Sequence, residues 1–196
     1  MAINLPKEEL EYYTRIASEV FINDPMYTYT TKNEKRRKKY IYEMTRVRLY
    51  ASAQSDDIYF DEEKRGILVM RNAMNDYGFV EMVKVPGSYK LDFFLPSLIR
   101  HLSFYSGFDN KEFFDENTYI LSPVFTAKEH QGKGVASALI KRAIADYTAR
   151  GLKIGLDTQN PANIPFYEKL GFRLLGSQYN EKADLHNYYM LYEEQK

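Results

Sequence analysis

The sequence predicts a single α/β domain over residues 1–196, and three observations lead to that fold class. The chain is 44% hydrophobic, so its 196 residues can bury one substantial core, whereas a second independent domain would be cramped. Residues 117–158 have the pattern strand, helix, strand, and such a crossover places its two strands parallel in one sheet. Residues 58–70 have the pattern of two short strands joined by a polar hairpin turn.

Composition limits the partners and the chemistry. Lys plus Arg equals Asp plus Glu at 27 each, so we expect no nucleic acid and no membrane as partner. The chain has no cysteine, which excludes disulfides, a thiolate nucleophile and cysteine-bound metals. Its three histidines lack metal-ligand spacing, so no metal is expected. With neither a signal-peptide pattern nor a long apolar run, we expect a soluble, cytoplasmic protein, for which a homodimer stays open.

The first half reads as two helices, the hairpin and an interrupted helix. Apolar side chains recur at helical spacing over residues 7–23, where Asp24-Pro25 ends the pattern. A second helix follows, with an apolar side made of Tyr40, Met44, Val47 and either Tyr50 or Ala51. Its basic residues 35–39 could grip phosphates, but a solvated helix face is the favoured interpretation. Residues 92–108 predict a kinked or broken helix around Pro96 with a surface role.

The second half predicts strands at 117–126 and 152–158 around a helix at 133–150, then a short helix at 161–170 and two strands within 172–192. The long helix has one apolar face, formed by Ala136, Leu139, Ile140, Ala143, Ile144 and Tyr147. The positive charge of Arg150 is favourable at the negative C-terminal end of the helix dipole, and Gly151 is typical of the position at which a helix ends.

The stretch "EHQGKGVASALI", residues 129–140, places two glycines where this helix begins. A helix start has four amides without intrahelical partners and a partial positive charge, so it attracts anions. Glycine has no Cβ to block a bulky phosphate. The stretch therefore predicts a phosphate or pyrophosphate site, with a plain loop as the alternative. Neither the GxxxxGK[ST] loop nor the GxGxxG fingerprint fits these residues.

Two motifs together resemble the GNAT superfamily of acetyl-CoA-dependent N-acetyltransferases. "QGKGVA" fits the pattern Q/R-x-x-G-x-G/A, and "NPANIPFYEKLGF" follows further along the chain. The stretch "LDTQNPANIPFYEKLGF" is similar to the branch that includes puromycin N-acetyltransferase. The resemblance is strong over residues 117–172 and faint before them. It implies a mixed, mostly antiparallel twisted sheet, flanked by helices, in which a parallel strand pair splays apart.

The resemblance implies acetyl-CoA as cosubstrate, with its pantetheine arm lying in the splay. Pro123 interrupts the strand ahead of the glycines, and proline inside a strand is expected at an edge or a bulge. The implied coenzyme contacts are Val124, Phe125 and Thr126 for pantetheine, Gln131, Gly132, Lys133, Gly134, Val135, Ala136 and Ser137 for pyrophosphate, and Asn160 and Asn163. Turn chemistry is the alternative role for the two asparagines.

The implied reaction is direct attack of a primary amine on the thioester through a tetrahedral intermediate. An alkyl amine is almost fully protonated at pH 7, so a base must accept its proton. Asp157 points to one side of its strand with Gly155 and is the candidate base, although it could instead anchor a loop or the amine. Tyr167 occupies the position of the family's acid, which protonates the leaving thiolate.

Two other functions stay open on the sequence. One is a GNAT-like module or sensor that binds acyl-CoA without transfer, and the other is a transferase of a longer acyl group. The acceptor is a small-molecule or peptide amine whose identity the sequence does not give.

Overall fold

The computed structural model describes residues 5–55, 57–75 and 85–193. Its α-helices are α1 (Lys7–Val20), α2 (Pro25–Thr30), α3 (Glu34–Ser55), α4 (Leu95–Tyr105), α5 (Val135–Ala149) and α6 (Ile164–Glu168). Its strands are β1 (Asp57–Phe60), β2 (Gly66–Asn72), β3 (Thr118–Thr126), β4 (Lys153–Thr158), β5 (Phe172–Asn180) and β6 (Leu185–Tyr192). Short 3₁₀ helices span Phe21–Asn23, Ser88–Phe94, Asn110–Glu112, Lys128–His130 and Pro161–Asn163. None of the helices in these ranges is both long and apolar enough to cross a membrane.

The strands form one sheet in the order β1-β2-β3-β4-β6-β5. β3 and β4 are parallel, and the other neighbouring pairs are antiparallel. The parallel pair is joined through α5, as the strand, helix, strand pattern predicts. The predicted fold class is therefore confirmed: the sheet is mixed and mostly antiparallel, and helices flank it.

The sheet buries a different core on each face, because successive side chains of a strand point to opposite sides. On the face that α5 covers, the core includes Leu68, Met70, Leu121, Leu139, Ile140, Leu156 and Met190. On the face that α1 and α3 cover, it includes Leu10, Leu49, Ile67, Val69 and Phe125. We call these the α5 face and the α3 face. A further cluster packs α2, α3 and α4 together through Met26, Tyr40, Met44, Leu98 and Phe104.

The basic residues 35–39 are exposed except for Arg37, as the interpretation of a solvated face requires for most of them. The Arg37 guanidinium donates to the carbonyl oxygens of Ile22 at 2.6 Å and Thr31 at 2.9 Å, so it ties the start of α3 to the preceding turns. On the apolar side of α3, Ala51 packs against the core, whereas Tyr50 is 37% exposed.

Two proline signals lie at helix boundaries. Asp24 follows the 3₁₀ helix after α1, where the predicted helix stop lies, and it also begins α2, because its Oδ1 accepts hydrogen bonds from the amides of Met26 at 3.0 Å and Tyr27 at 3.4 Å. A 3₁₀ helix ends at Phe94 and α4 begins at Leu95, so the predicted break lies just before Pro96, which occupies the first turn of α4. One side of α4 is buried in the core, whereas Leu95, Ile99 and Leu102 on its other side are exposed, so a surface role stays a prediction.

Candidate active site

β3 and β4 pair over only three residues and then separate. Residues 118–120 pair with residues 153–155, and no further ladder joins the two strands, both of which are fully described. β3 continues along β2 as far as Thr126, while β4 continues along β6 as far as Thr158. We call the space between residues 121–126 and 156–158 the slot. The splay of the parallel pair that the sequence resemblance implies is therefore present.

A bulge in β3 lies at the edge of the slot. Leu68 pairs with Val124 and Met70 with Leu121, which leaves one extra residue in β3 between them. Pro123 lies in this bulge, where its missing N–H costs no ladder hydrogen bond.

The two side chains that follow the bulge, those of Val124 and Phe125, pack against the cores on opposite faces of the sheet. The Phe125 ring packs 5.6 Å from the Phe21 ring, measured between centroids, and Val124 packs against the core of the α5 face. The backbone of residues 124–126 pairs with β2 on one side and is unpaired on the side that faces the slot.

The glycine loop, residues 131–137, follows β3 and leads into α5. Gly132 and Gly134 have φ angles of +74° and +82°, in the region that glycine adopts without strain. A Cβ added at either position would meet no atom within 4 Å, so open space lies in front of both. Gln131 Nε2 donates to the Thr126 carbonyl at 3.2 Å and ties the loop to the end of β3. The loop thus has room for a bulky anion at the start of α5.

Both candidate asparagines take part in the turn after β4. Asn160 Oδ1 accepts a hydrogen bond from the Ala162 amide at 3.1 Å, and Asn163 Nδ2 donates to Thr158 Oγ1 at 3.2 Å. These are the turn contacts that the sequence offers as the alternative role. A coenzyme contact for either side chain stays a prediction.

Tyr167 lies on α6 with its ring in an aromatic cluster. Ring centroids of Phe166 and Phe172 are 5.1 Å and 5.9 Å away, and the side chain is buried. Burial and, to a smaller extent, the negative charge of Asp157 raise the pKa of Tyr167 to about 12. The phenol therefore keeps its proton at neutral pH and is available as a proton donor.

Asp157 lies on the α3 face, opposite its neighbour Leu156. Gly155 shares this face and is closely approached by Phe114, since an added Cβ would lie 2.7 Å from its Cε1. Tyr189 is the β6 residue opposite Asp157 in the ladder. Gln159 Nε2 donates to Asp157 Oδ2 at 3.2 Å. The Asp157 carboxylate therefore lies at the end of the slot, on the face of the sheet that carries the rings of Phe114 and Tyr189. Its alternation with Leu156 in the strand predicts this face.

The Asp157 carboxyl is under opposing influences. Desolvation by burial raises its pKa above the ordinary value, and this effect is the largest. The positive charges of Arg71 and then Arg48 lower the pKa and favour the ionised form, as do hydrogen bonds from Gln159 and Asn187. An ionised carboxylate with a raised pKa is a better proton acceptor than an ordinary one.

Residues of the first half also reach this site, and sequence reasoning missed them. Arg48 on α3 donates from Nη2 to Ser122 Oγ at 2.8 Å, next to the bulge. Its positive charge lowers the pKa of Asp157. It also partly offsets the effect of burial, which raises the pKa of Tyr105 on α4. The one signal in the sequence was an arginine between Val47 and Leu49, both of which are buried.

His101 on α4 is buried, and its ring packs against those of Tyr27, Tyr40 and Tyr105. Burial and the nearby Arg48 charge lower its pKa from 6.5 to about 3, so the folded protein keeps the ring neutral. The unfolded chain binds a proton near the ordinary pKa, so the stability that His101 contributes above that pH is lost as the pH falls.

We expect protonation of His101 in the unfolded chain to lower the free energy of unfolding by about 2 kcal/mol as the pH falls from 7 to 5. Asp24, whose pKa burial raises to about 6, titrates in the same range with the opposite sign. The comparison is therefore between the wild type and His101→Phe, in which Asp24 is unchanged. Urea denaturation at both pH values should show the smaller loss in the variant. Equal losses would mean that His101 is charged or accessible in the folded state.

Comparisons with known proteins agree with this geometry. A family model described as "Acetyltransferase (GNAT) family" matches residues 41–172. A solved structure described as histone acetyltransferase HPA2 and related acetyltransferase, from Corynebacterium glutamicum ATCC 13032, is similar with a TM-score of 0.66 and 18% identity, over 97% of this chain and 94% of that one. An N-acetyltransferase from Staphylococcus aureus Mu50 is similar with a TM-score of 0.55 and 14% identity, over 97% of this chain and 99% of that one. At these identities the two structures support the fold.

Proposed function

The chain belongs to the acetyltransferase (GNAT) family, and from that premise we propose that it transfers an acetyl group from acetyl-CoA to a primary amine. The observation that carries the proposal is the slot between β3 and β4, which has the glycine loop beyond the end of β3 and Asp157 at the end of β4. The acceptor is a small-molecule or peptide amine.

The described residues fit acetyl-CoA at this site. Bound acetyl-CoA supplies an acetyl thioester, whose C–S bond is exchanged for a C–N bond to the amine. The unpaired backbone edge of residues 124–126 offers donors and acceptors to an extended pantetheine arm. The amides of residues 131–137 at the start of α5, with the open space in front of Gly132 and Gly134, suit the pyrophosphate.

Replacing Gly134 tests the pyrophosphate site. Gly134→Asp brings a negative charge to the helix start, whereas Gly134→Asn adds a side chain of the same shape without charge and tolerates the left-handed backbone. We expect the aspartate variant to bind acetyl-CoA at least about tenfold more weakly than the asparagine variant, since like charges repel there. Calorimetry on folded protein measures both affinities. Equal affinities in the two variants would remove the pyrophosphate from this loop.

Asp157 and Tyr167 take the proton-transfer roles in this proposal. Asp157 accepts the proton that the amine loses, helped by the raised pKa that burial gives it. Tyr167, protonated at neutral pH, gives its proton to the leaving sulfur. The Asp157 charge contributes to the raised pKa of Tyr167, which keeps the phenol protonated.

The direct test is to incubate the protein with acetyl-CoA and an amine library and to look for acetylated products by mass spectrometry. The proposal expects at least one product that requires the protein. Tight acetyl-CoA binding with no product from any amine would favour the acyl-CoA-binding module instead. Transfer from longer acyl-CoA thioesters in preference to acetyl-CoA would show that the donor carries a longer acyl group.

A further inference from the structure

Arg48 stands at the edge of the slot with neutral partners. Its Nη2 donates to Ser122 Oγ at 2.8 Å, and its guanidinium also hydrogen-bonds the Tyr27 hydroxyl. Ser122 is the residue before Pro123, at the bulge where β3 has left β4. The half-buried guanidinium therefore lies beside the point where the slot opens.

No described carboxylate balances the charge of Arg48 by a direct contact. Among the described residues no carboxylate lies within the 4.0 Å ion-pair distance of its guanidinium, whereas Arg46, two positions earlier on α3, pairs with Glu43 at 2.9 Å. Asp157 interacts with Arg48 only through space, and Arg71 lowers the Asp157 pKa more than Arg48 does. Withdrawing a cation from water is costly unless a negative partner compensates.

Arg48 and Asp157 lie on the two sides of the slot, because Arg48 contacts Ser122 of β3 and Asp157 belongs to β4. The two groups affect each other's electrostatics, yet they are more than 4.0 Å apart. A guanidinium has five N–H donors, and in the described part of the chain the two hydroxyls engage only some of them. Guanidinium donors match the two oxygens of a carboxylate, whereas Asp157 suits an ammonium group.

We propose that Arg48 binds a carboxylate of the acceptor, so that the acceptor is an amine that also carries a carboxylate, such as an amino acid or a short peptide. This inference rests on the proposed acetyl transfer. Arg48 holds the anionic end, and the amine is directed toward Asp157. Arg48 is a specificity-determining residue and takes no part in the proton transfers.

The test uses a panel of matched acceptors: amino acids, the corresponding amino acid amides, and the amines that lack the carboxyl group. We expect the wild type to prefer the carboxylate member of each set by about ten- to a hundredfold in kcat/KM, the usual strength of a charge-assisted hydrogen bond. In Arg48→Gln, which keeps a donor for Ser122 but loses the charge, this preference should fall close to one. The loss should appear mainly as a higher KM for the carboxylate members, and Arg48→Lys should restore part of it.

The control is Arg142→Gln, which removes an exposed guanidinium that stacks 5.3 Å from the Tyr59 ring, away from the slot. It should leave the preference unchanged. Equal use of charged and neutral acceptors by the wild type would overturn the inference, and so would an equal loss on both classes in Arg48→Gln. Either result would leave acetyl transfer standing. No product from any member would overturn the proposed function, and the inference with it.

Discussion

Tyr167→Phe is expected to lower turnover by about 10²- to 10⁴-fold, the usual cost of losing a general acid. The variant keeps the ring between Phe166 and Phe172 and removes only the proton that the leaving sulfur would take. Acetyl-CoA affinity should change little, because one exchanged hydroxyl hydrogen bond is worth about 0.5–1.5 kcal/mol net. Turnover on any accepted amine and coenzyme affinity by calorimetry are measured on the same preparation.

Tyr192→Phe is the matched control for this variant. Tyr192 packs 5.7 Å from the same Phe172 ring, so it loses a hydroxyl from the same aromatic cluster. Its turnover should stay near that of the wild type. If Tyr167→Phe also turns over normally, another group protonates the sulfur. If it loses binding and turnover together, Tyr167 positions the coenzyme.

Asp157→Asn is expected to cause a loss of similar size, about 10²- to 10⁴-fold, since the amide cannot accept the amine's proton. The asparagine oxygen can still accept the hydrogen bond from Gln159, so the local structure should hold. In the wild type, turnover should rise as the pH increases through the Asp157 pKa, which burial places above the ordinary carboxyl value. The variant should lack this limb of the pH profile.

The exposed Asp92 provides the control, and Asp92→Asn should keep both turnover and the pH profile of the wild type. The split between kcat and KM separates the two roles that the sequence leaves open for Asp157. A lower kcat with the acidic limb lost supports the base. A higher KM with kcat and the limb retained would make Asp157 an anchor for the amine.

The sequence predicted the second half of the fold well because its signals there are local. An apolar face, a terminal glycine and a strand on each side define α5 within one continuous stretch, and the structure confirms them. Pro123 marked the bulge for the same reason, since the missing N–H acts on its own strand.

The first half was harder to predict because its signals have two local meanings. Asp24-Pro25 both ends one helix and starts the next, and Pro96 lies in the first turn of α4 directly after a 3₁₀ helix. Arg48 contacts Ser122 across a long stretch of sequence, so only the folded chain shows that it belongs to the site. Asp157 and Tyr167 could be proposed from the sequence because they lie within the segment that carries the family resemblance.

A crystal structure of the protein with acetyl-CoA would locate the coenzyme relative to the slot and to Tyr167. We expect the pantetheine arm in the slot along residues 124–126, the pyrophosphate at the amides of residues 131–137, and the sulfur within hydrogen-bonding reach of the Tyr167 hydroxyl. A coenzyme bound outside the slot, or one whose sulfur lies away from Tyr167 and Asp157, would contradict this expectation.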